Sequence, residues 1–238
     1  MGATNTGLDL RVRRLTYEAD GVVSVRLTAP TCEALPAWEP GAHVDLRLPC
    51  GLVRQYSLCG PPGDAAGYEV AVLRDPARRG GSRYVHESLR PGDRLGVGRP
   101  RNTFALEPAP GYLFVAGGIG ITPLLPMIEH AERAGAGWRL LYGGRTRRSM
   151  AFLDRLARYG DRVQVVPEDV RGRLDLDAAL VALPGLGAGA LVYGCGPEPL
   201  LAALEKCCAP PRRRRPAPGA LRGARGGSGT RGARRGRR

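Results

Sequence analysis

Over the first hundred positions, apolar and polar residues alternate in short runs, at residues 8–17, 22–27, 44–48, 55–58, 68–73 and 94–97. Period-two runs of this length read as half-buried strands. The turn signals between them, Asp20-Gly21, Glu39-Pro40-Gly41 and Pro91-Gly92-Asp93, predict antiparallel strands closing into a small barrel or sandwich, with one short helix near residues 82–89. Around residues 108–111 the rhythm changes. Strand-like apolar runs at 112–116, 138–142, 163–166 and 190–193 alternate with helical stretches at 123–133, 150–159 and 176–183. That alternation predicts a parallel sheet covered by helices. The expected architecture is therefore two-domain, an antiparallel β-barrel over residues 1–107 followed by an α/β parallel-sheet domain over 108–206, with a tail at 207–238.

Charge changes the picture only at that tail. Of the formal +14, eleven charges are arginines within residues 212–238, a stretch with no acidic residue, so the rest of the chain carries +3. Arginine, glycine, proline and alanine leave almost nothing to bury, which predicts a disordered basic tail. Such segments bind nucleic acid in other proteins. Here the body has no basic surface pattern, and aromatics are 5% of the chain, so stacking platforms are few and nucleic acid is a disfavoured partner. No run of about eighteen apolar residues predicts a membrane span, and the polar N-terminus does not read as a signal peptide, so a cytoplasmic location is expected. The six cysteines, at 32, 50, 59, 195, 207 and 208, show no C-x-x-C pair and read as reduced thiols.

The strongest chemical feature is a strand, turn and helix at residues 113–129. Gly117, Gly118 and Gly120 let main chain approach a ligand closely, and the helix that follows points its free N–H groups at the same place, which suits a pyrophosphate. Thr122 reads as the helix cap and Pro123 as a tolerated first-turn residue. The glycines also fit a bare tight turn, and this motif alone does not decide between the two.

Three motifs in order carry a resemblance: Arg54-Gln55-Tyr56-Ser57-Leu58, Gly117-Gly118-Ile119-Gly120-Ile121-Thr122-Pro123 and Tyr193-Gly194-Cys195-Gly196-Pro197. Over roughly residues 8–206 the chain resembles the ferredoxin-NADP reductase superfamily, and within it the reductase components of phthalate dioxygenase and vanillate demethylase. The resemblance implies a flavin-binding barrel, an NAD(P)-binding α/β domain and hydride transfer from nicotinamide to flavin, followed by single-electron release. It gives Arg54 to the flavin phosphate, Tyr56 to the isoalloxazine and Ser57 to the flavin N5. Gly80, Gly81 and Ser82, after Arg79, match a second phosphate loop, while Val72, Leu73 and Arg74 match the strand lining the ring. Tyr56, Val72 and Leu73 also read as ordinary barrel residues. Cys195-Gly196-Pro197 is implied to sit beside the nicotinamide. FMN is the implied flavin, with FAD open. NADH is the implied donor, with NADPH open because Arg145, Arg147 and Arg148 follow the second parallel strand and suit a 2′-phosphate as well as a solvated loop. No catalytic side chain is assigned.

The chain departs from its relatives after the nucleotide domain. Adjacent Cys207-Cys208 does not reproduce the C-x4-C-x2-C spacing of a plant-type ferredoxin, so no [2Fe–2S] cluster is expected in this chain. The expected acceptor is a ferredoxin or a Rieske-type or other oxygenase component. A free flavin reductase is an alternative activity, and a nucleic-acid-binding role for the tail is another. With one lysine against 24 arginines in the body, the tail fits a shifted reading frame diverging near Cys207; the other reading is a naturally short chain whose tail attracts an acidic partner.

Overall fold

Alternating burial along the early strands shows why they form a closed sheet. The structure, a computed structural model, describes residues 7–31, 33–75, 80–181 and 183–208. Arg79 and the basic stretch from 209 onward lie outside the described residues. The first half contains β1 (Leu8–Ala19), β2 (Val22–Thr28), β3 (Ala42–Arg47), β4 (Val53–Ser57), β5 (Tyr68–Leu73), α1 (Gly81–Glu87), β6 (Arg94–Val97) and β7 (Arg101–Asn102). The strands pair antiparallel in the order β4-β3-β6-β1-β2-β5, with β7 on β3. An antiparallel bridge from Leu58 to Val70 joins the two ends of that order and closes the barrel. Leu10, Val25, Val44, Val70 and Val97 point into its core, and Val85 and Leu89 from around α1 join them.

The second half contains β8 (Gly111–Gly117), α2 (Ile121–Arg133), β9 (Gly137–Gly144), α3 (Leu153–Ala157), β10 (Val163–Pro167), α4 (Glu168–Arg171), α5 (Leu176–Val181), β11 (Leu191–Cys195) and α6 (Glu198–Cys208). Its strands are parallel in the order β10-β9-β8-β11. Central β8 is buried on both faces, which explains its unbroken apolar run. Tyr112, Phe114 and Ala116 pack toward α2, whereas Leu113 and Val115 share a core with Leu176, Leu180 and Leu204 of α5 and α6. No described helix is long and apolar enough to cross a membrane.

Three expectations need correction. The helix expected from residue 150 begins only at Leu153, because Phe152 takes a left-handed conformation with φ 63° and the preceding residues join the core instead. The sequence pattern did not reveal α6, which carries helical order through Cys208, past the expected start of the tail at 207. Short α4 was also not expected; it forms where Glu168 and Asp169 place acidic charge at a helix start.

The two sheets are not separate cores. Ala19, Val22, Cys59, Ala71 and Phe104 from the barrel side cluster with Ile121, Leu124, Met127 and Phe152 from the α/β side. The connection between the sheets is held by two tyrosine hydroxyls. Tyr193 Oη accepts from Glu107 N at 2.8 Å and donates to Ala105 O at 3.2 Å. Tyr112 Oη accepts from Ala109 N and donates to Glu107 O, each at 3.0 Å. Burial pushes the Tyr193 phenol up to about 12, so it remains a donor at any ordinary pH. Tyr193→Phe strands the Glu107 amide, and chemical denaturation is expected to show a loss of about 1–3 kcal/mol.

Candidate functional site

The register between β8 and β11 brings two of the sequence motifs to one sheet edge. Cys195 pairs with Ala116 and Gly194 with Val115, so the glycine turn and Cys195-Gly196-Pro197 leave the carboxyl ends of neighbouring parallel strands. Ligands bind at that edge in open α/β sheets. A Cβ built on Gly120 would lie 2.2 Å from the Cys195 oxygen, and one on Gly117 would lie 2.7 Å from Pro197 Cδ. A Cβ on Gly196 would lie 3.0 Å from Gly117 Cα. These three glycines are consumed by close packing, Gly120 and Gly196 against main chain and Gly117 against Pro197 and Leu200. Gly118 differs, since it has φ +54° and nothing within 4 Å of its Cβ position. Space beside the backbone is therefore found at Gly118. Thr122 is not the helix cap: α2 starts at Ile121 after a 3-10 turn at Gly118–Gly120, and Thr122 Oγ1 donates back to Ile119 O at 3.0 Å. No side chain caps the first amides of α2. Pro123 is buried in the first turn, and Cys195 is buried beside Gly120.

On the barrel, the structure joins two motifs that the sequence separates. Arg54 and Tyr56 of β4 stand opposite Leu46 and Val44, while exposed Gln55 turns the other way, opposite Asp45. Tyr56 packs on the barrel core, and burial raises its phenol. Ser57, opposite His43, is half-buried at the end of β4. The Arg54 stem crosses the start of α1, where a Cβ on Gly81 would lie 2.9 Å from Arg54 Cγ and Nε. Arg54 Nη1 donates to its neighbour's carbonyl, Val53 O, at 2.8 Å. Gly80, with φ +80°, opens onto space. Ser82 Oγ accepts from Asp75 N at 3.1 Å. Leu58 and Val72 are fully buried barrel residues, and the Val72 carbonyl lies 2.9 Å from His86 Nε2. Leu73 is 41% exposed, leaving its side chain open to a ligand, whereas Arg74 is ion-paired with Glu87 at 2.5 Å.

No family model matches the chain. Phenoxybenzoate dioxygenase subunit beta of Ectopseudomonas oleovorans is 44% identical over 208 residues, covering 87% of this chain and 64% of that protein. The structure of phthalate dioxygenase reductase superposes with a TM-score of 0.80 at 31% identity, covering 87% of this chain and 66% of that one. A type IV self-sufficient cytochrome P450 monooxygenase gives a TM-score of 0.80 at 45% identity over 85% of this chain and 26% of its own. The chain is ferredoxin reductase-like in sequence and fold. Homology places it with the phthalate dioxygenase and vanillate demethylase reductases, and it spans under two thirds of the length of the curated relatives it matches.

In this ferredoxin reductase-like chain the arginines after β9 have separate positions. Arg148 is taken by the barrel: its Nε lies 3.1 Å from Asp20 Oδ2, and its carbonyl accepts from Asp20 N at 2.9 Å. Thr146 and Ser149 cap one another across the turn. Arg145 and Arg147 are exposed at the carboxyl end of β9.

Sequence reasoning missed Arg155 of α3. Its Nη1 donates to Cys59 O at 2.7 Å, and its Nη2 lies 3.3 Å from Glu129 Oε2. These contacts span 96 and 26 residues, and no local pattern marks them. Nearby Glu18 accepts from Ser24 Oγ at 2.6 Å. Burial raises the Glu18 carboxyl above its ordinary range, and the charge of Glu69 adds to the rise.

Two measurements test this geometry. Gly120→Ala must displace the Cys195 main chain and is expected to cost about 3 kcal/mol in urea denaturation, while Gly118→Ala pays only for its left-handed backbone, about 1 kcal/mol. The raised Glu18 carboxyl means the folded state holds its proton more tightly, so this residue withdraws stability as pH rises from the ordinary carboxylate range through its raised value. Glu18→Gln is expected to melt above wild type at pH about 8, with the gap closing below about pH 4.

Proposed function

We propose that this chain binds FMN at Arg54, Tyr56, Ser57 and the turn at residues 80–82, takes hydride from NADH held at Gly118 and Cys195-Gly196-Pro197, and feeds electrons singly to an iron–sulfur protein or oxygenase component. The observation that carries this reading is the Arg54 guanidinium stem lying against Gly81 at the open Gly80 turn. A guanidinium fork donating two hydrogen bonds beside uncovered amides suits a terminal phosphate. When bound, the flavin supplies the conversion of a hydride pair into single electrons. The protein's part is placement. Tyr56 presents an aromatic face beside β4, the exposed Leu73 offers apolar surface on β5, and Gly118 keeps the nucleotide edge clear of side chains. Hydride transfer needs no protein acid or base, which agrees with the absence of an assigned catalytic side chain.

FMN and NADH are preferred over FAD and NADPH on the resemblance of the motifs to the oxygenase reductases; a pyridine-nucleotide donor is supported by the likeness to phthalate dioxygenase reductase, which carries electrons from pyridine nucleotides to [2Fe–2S]. The names of the relatives, a phenoxybenzoate dioxygenase subunit and a cytochrome P450 monooxygenase, support an oxygenase as the final acceptor. A cytoplasmic setting suits such a soluble electron chain.

The test is an anaerobic absorption spectrum of the full chain loaded with FMN, before and after NADH. Flavin bands that survive gel filtration and bleach with NADH are expected. Flavin that is reduced in turnover but lost on the column would make this a free flavin reductase, and no flavin uptake would overturn the reading. Arg54→Gln is expected to weaken FMN by tenfold or more, from the about 1.5–3 kcal/mol of a charged hydrogen bond, while leaving riboflavin, which has no phosphate, unchanged.

A further inference from the structure

The barrel motif and the glycine-turn motif lie on different halves of the molecule, so their separation is set by the connection between the sheets and by contacts across the seam. Arg155 makes one of these contacts, next to the barrel motif and onto the helix that follows the glycine turn. Its Nη1 donates to Cys59 O at 2.7 Å, two residues past Ser57 in the chain. The Cys59 amide donates to Glu69 O at 2.9 Å, so this carbonyl belongs to a segment tied to β5. The other end of the guanidinium, Nη2, lies 3.3 Å from Glu129 Oε2 on α2, the helix that begins at the glycine turn. Arg155 Nη1 is also 3.9 Å from Glu69 Oε1. One side chain therefore links the exit of the strand carrying Arg54, Tyr56 and Ser57 to the helix that follows Gly118.

The side chains are shielded, with Arg155 at 23% exposure and Glu69 and Glu129 at 16% each, so these contacts are screened less than surface pairs. Removing the cation would leave Glu69 and the half-buried Glu18 of the barrel facing Glu129, which keeps Arg133 at 2.5 Å, and so weakens the attraction that holds the halves together. Other polar ties cross the seam, between Asp20 and Arg148 and from Arg133 to the Pro62 carbonyl, but they anchor the β1–β2 turn and a loop further along the chain. An arginine fork reaches a carbonyl and a carboxylate at once, whereas a lysine ammonium is a point charge.

We propose that Arg155 is a positioning residue that sets the distance and angle between the nicotinamide and the flavin. This rests on the function proposed above. Hydride transfer requires reacting atoms about 3–3.5 Å apart, and a displacement of about 1 Å costs on the order of a hundredfold in rate. A tie between the segment that follows the barrel motif and the helix that follows the glycine turn is placed to hold that distance, without contacting either ligand.

The experiment is stopped-flow reduction of the FMN-loaded full chain by saturating NADH and by NADH deuterated at C4, for wild type, Arg155→Met and Arg155→Lys, with melting temperatures and ligand affinities measured alongside. Arg155→Met is expected to slow reduction per bound flavin about tenfold to a hundredfold, with an enlarged isotope effect and with FMN and NADH affinities within twofold of wild type. Arg155→Lys, which keeps the charge and remains testable where the methionine variant does not fold, is expected to fall between. Glu129→Gln, which weakens the α2 end of the tie together with the Glu129–Arg133 pair, is expected to shift the rate in the same direction by less. Variants that melt lower but reduce flavin at the wild-type rate with an unchanged isotope effect would make Arg155 a simple brace and overturn the proposal. A wild type that is not reduced by NADH would overturn the function itself and the inference with it, and the two failures are told apart by that control.

Discussion

The apolar seam between the barrel and the parallel sheet carries the rest of this structure. Ala19, Val22, Cys59, Ala71 and Phe104 on one side and Ile121, Leu124, Met127 and Phe152 on the other exclude water from a shared core. Because the seam is apolar at its centre, the contact of Arg155 with Cys59 O at its margin is partly shielded and gains directional value, whereas the Arg148–Asp20 pair lies at the exposed rim. The connection between the sheets would otherwise leave main-chain groups unsatisfied against this core. The Tyr112 and Tyr193 hydroxyls meet that need, and Phe104 packs edge-on against Tyr193 with ring centroids 5.7 Å apart.

The same constraint explains the division of labour among the glycines. Parallel strands β8 and β11 deliver two turns to one edge, and the turns are so close that side chains at Gly117, Gly120 and Gly196 would collide with main chain or with Pro197 and Leu200. Packing therefore accounts for these three, and of the glycines in these two turns only Gly118 combines a left-handed backbone with open space. A glycine-rich turn is thus two features at once, a close-packed joint between strands and a gap at a single residue. On the barrel, Arg54 follows a similar logic: the absence of a side chain at Gly81 lets the arginine stem lie against α1, so a steric vacancy brings a charge to the open turn.

Several features were legible in the sequence because they depend on local spacing. Period-two runs marked β5 and β6 at their observed bounds, and the switch to alternating strand and helix patterns separated an antiparallel sheet from a parallel one. The three motifs pointed to the family, since side-chain type and spacing are properties of the chain itself. Boundaries were less legible where tertiary contacts compete with local preference. Phe152 is pulled into the core at the expense of helix, and α6 is held by burial of Leu201, Leu204 and Cys208, which no local signal announced before a basic tail.

By itself the sequence determined the two sheet types, the order of the motifs and the segregation of basic charge into the last residues, because periodicity, residue chemistry and composition are local quantities. Only the tertiary structure decided that Thr122 bonds inside its helix rather than capping it, that Val72 is core while Leu73 is open, that Arg54 meets Gly81, and that Arg155 bridges Cys59 and Glu129. Each of these depends on contacts between segments far apart in the chain, and the seam that brings them together is formed by burial of both halves at once.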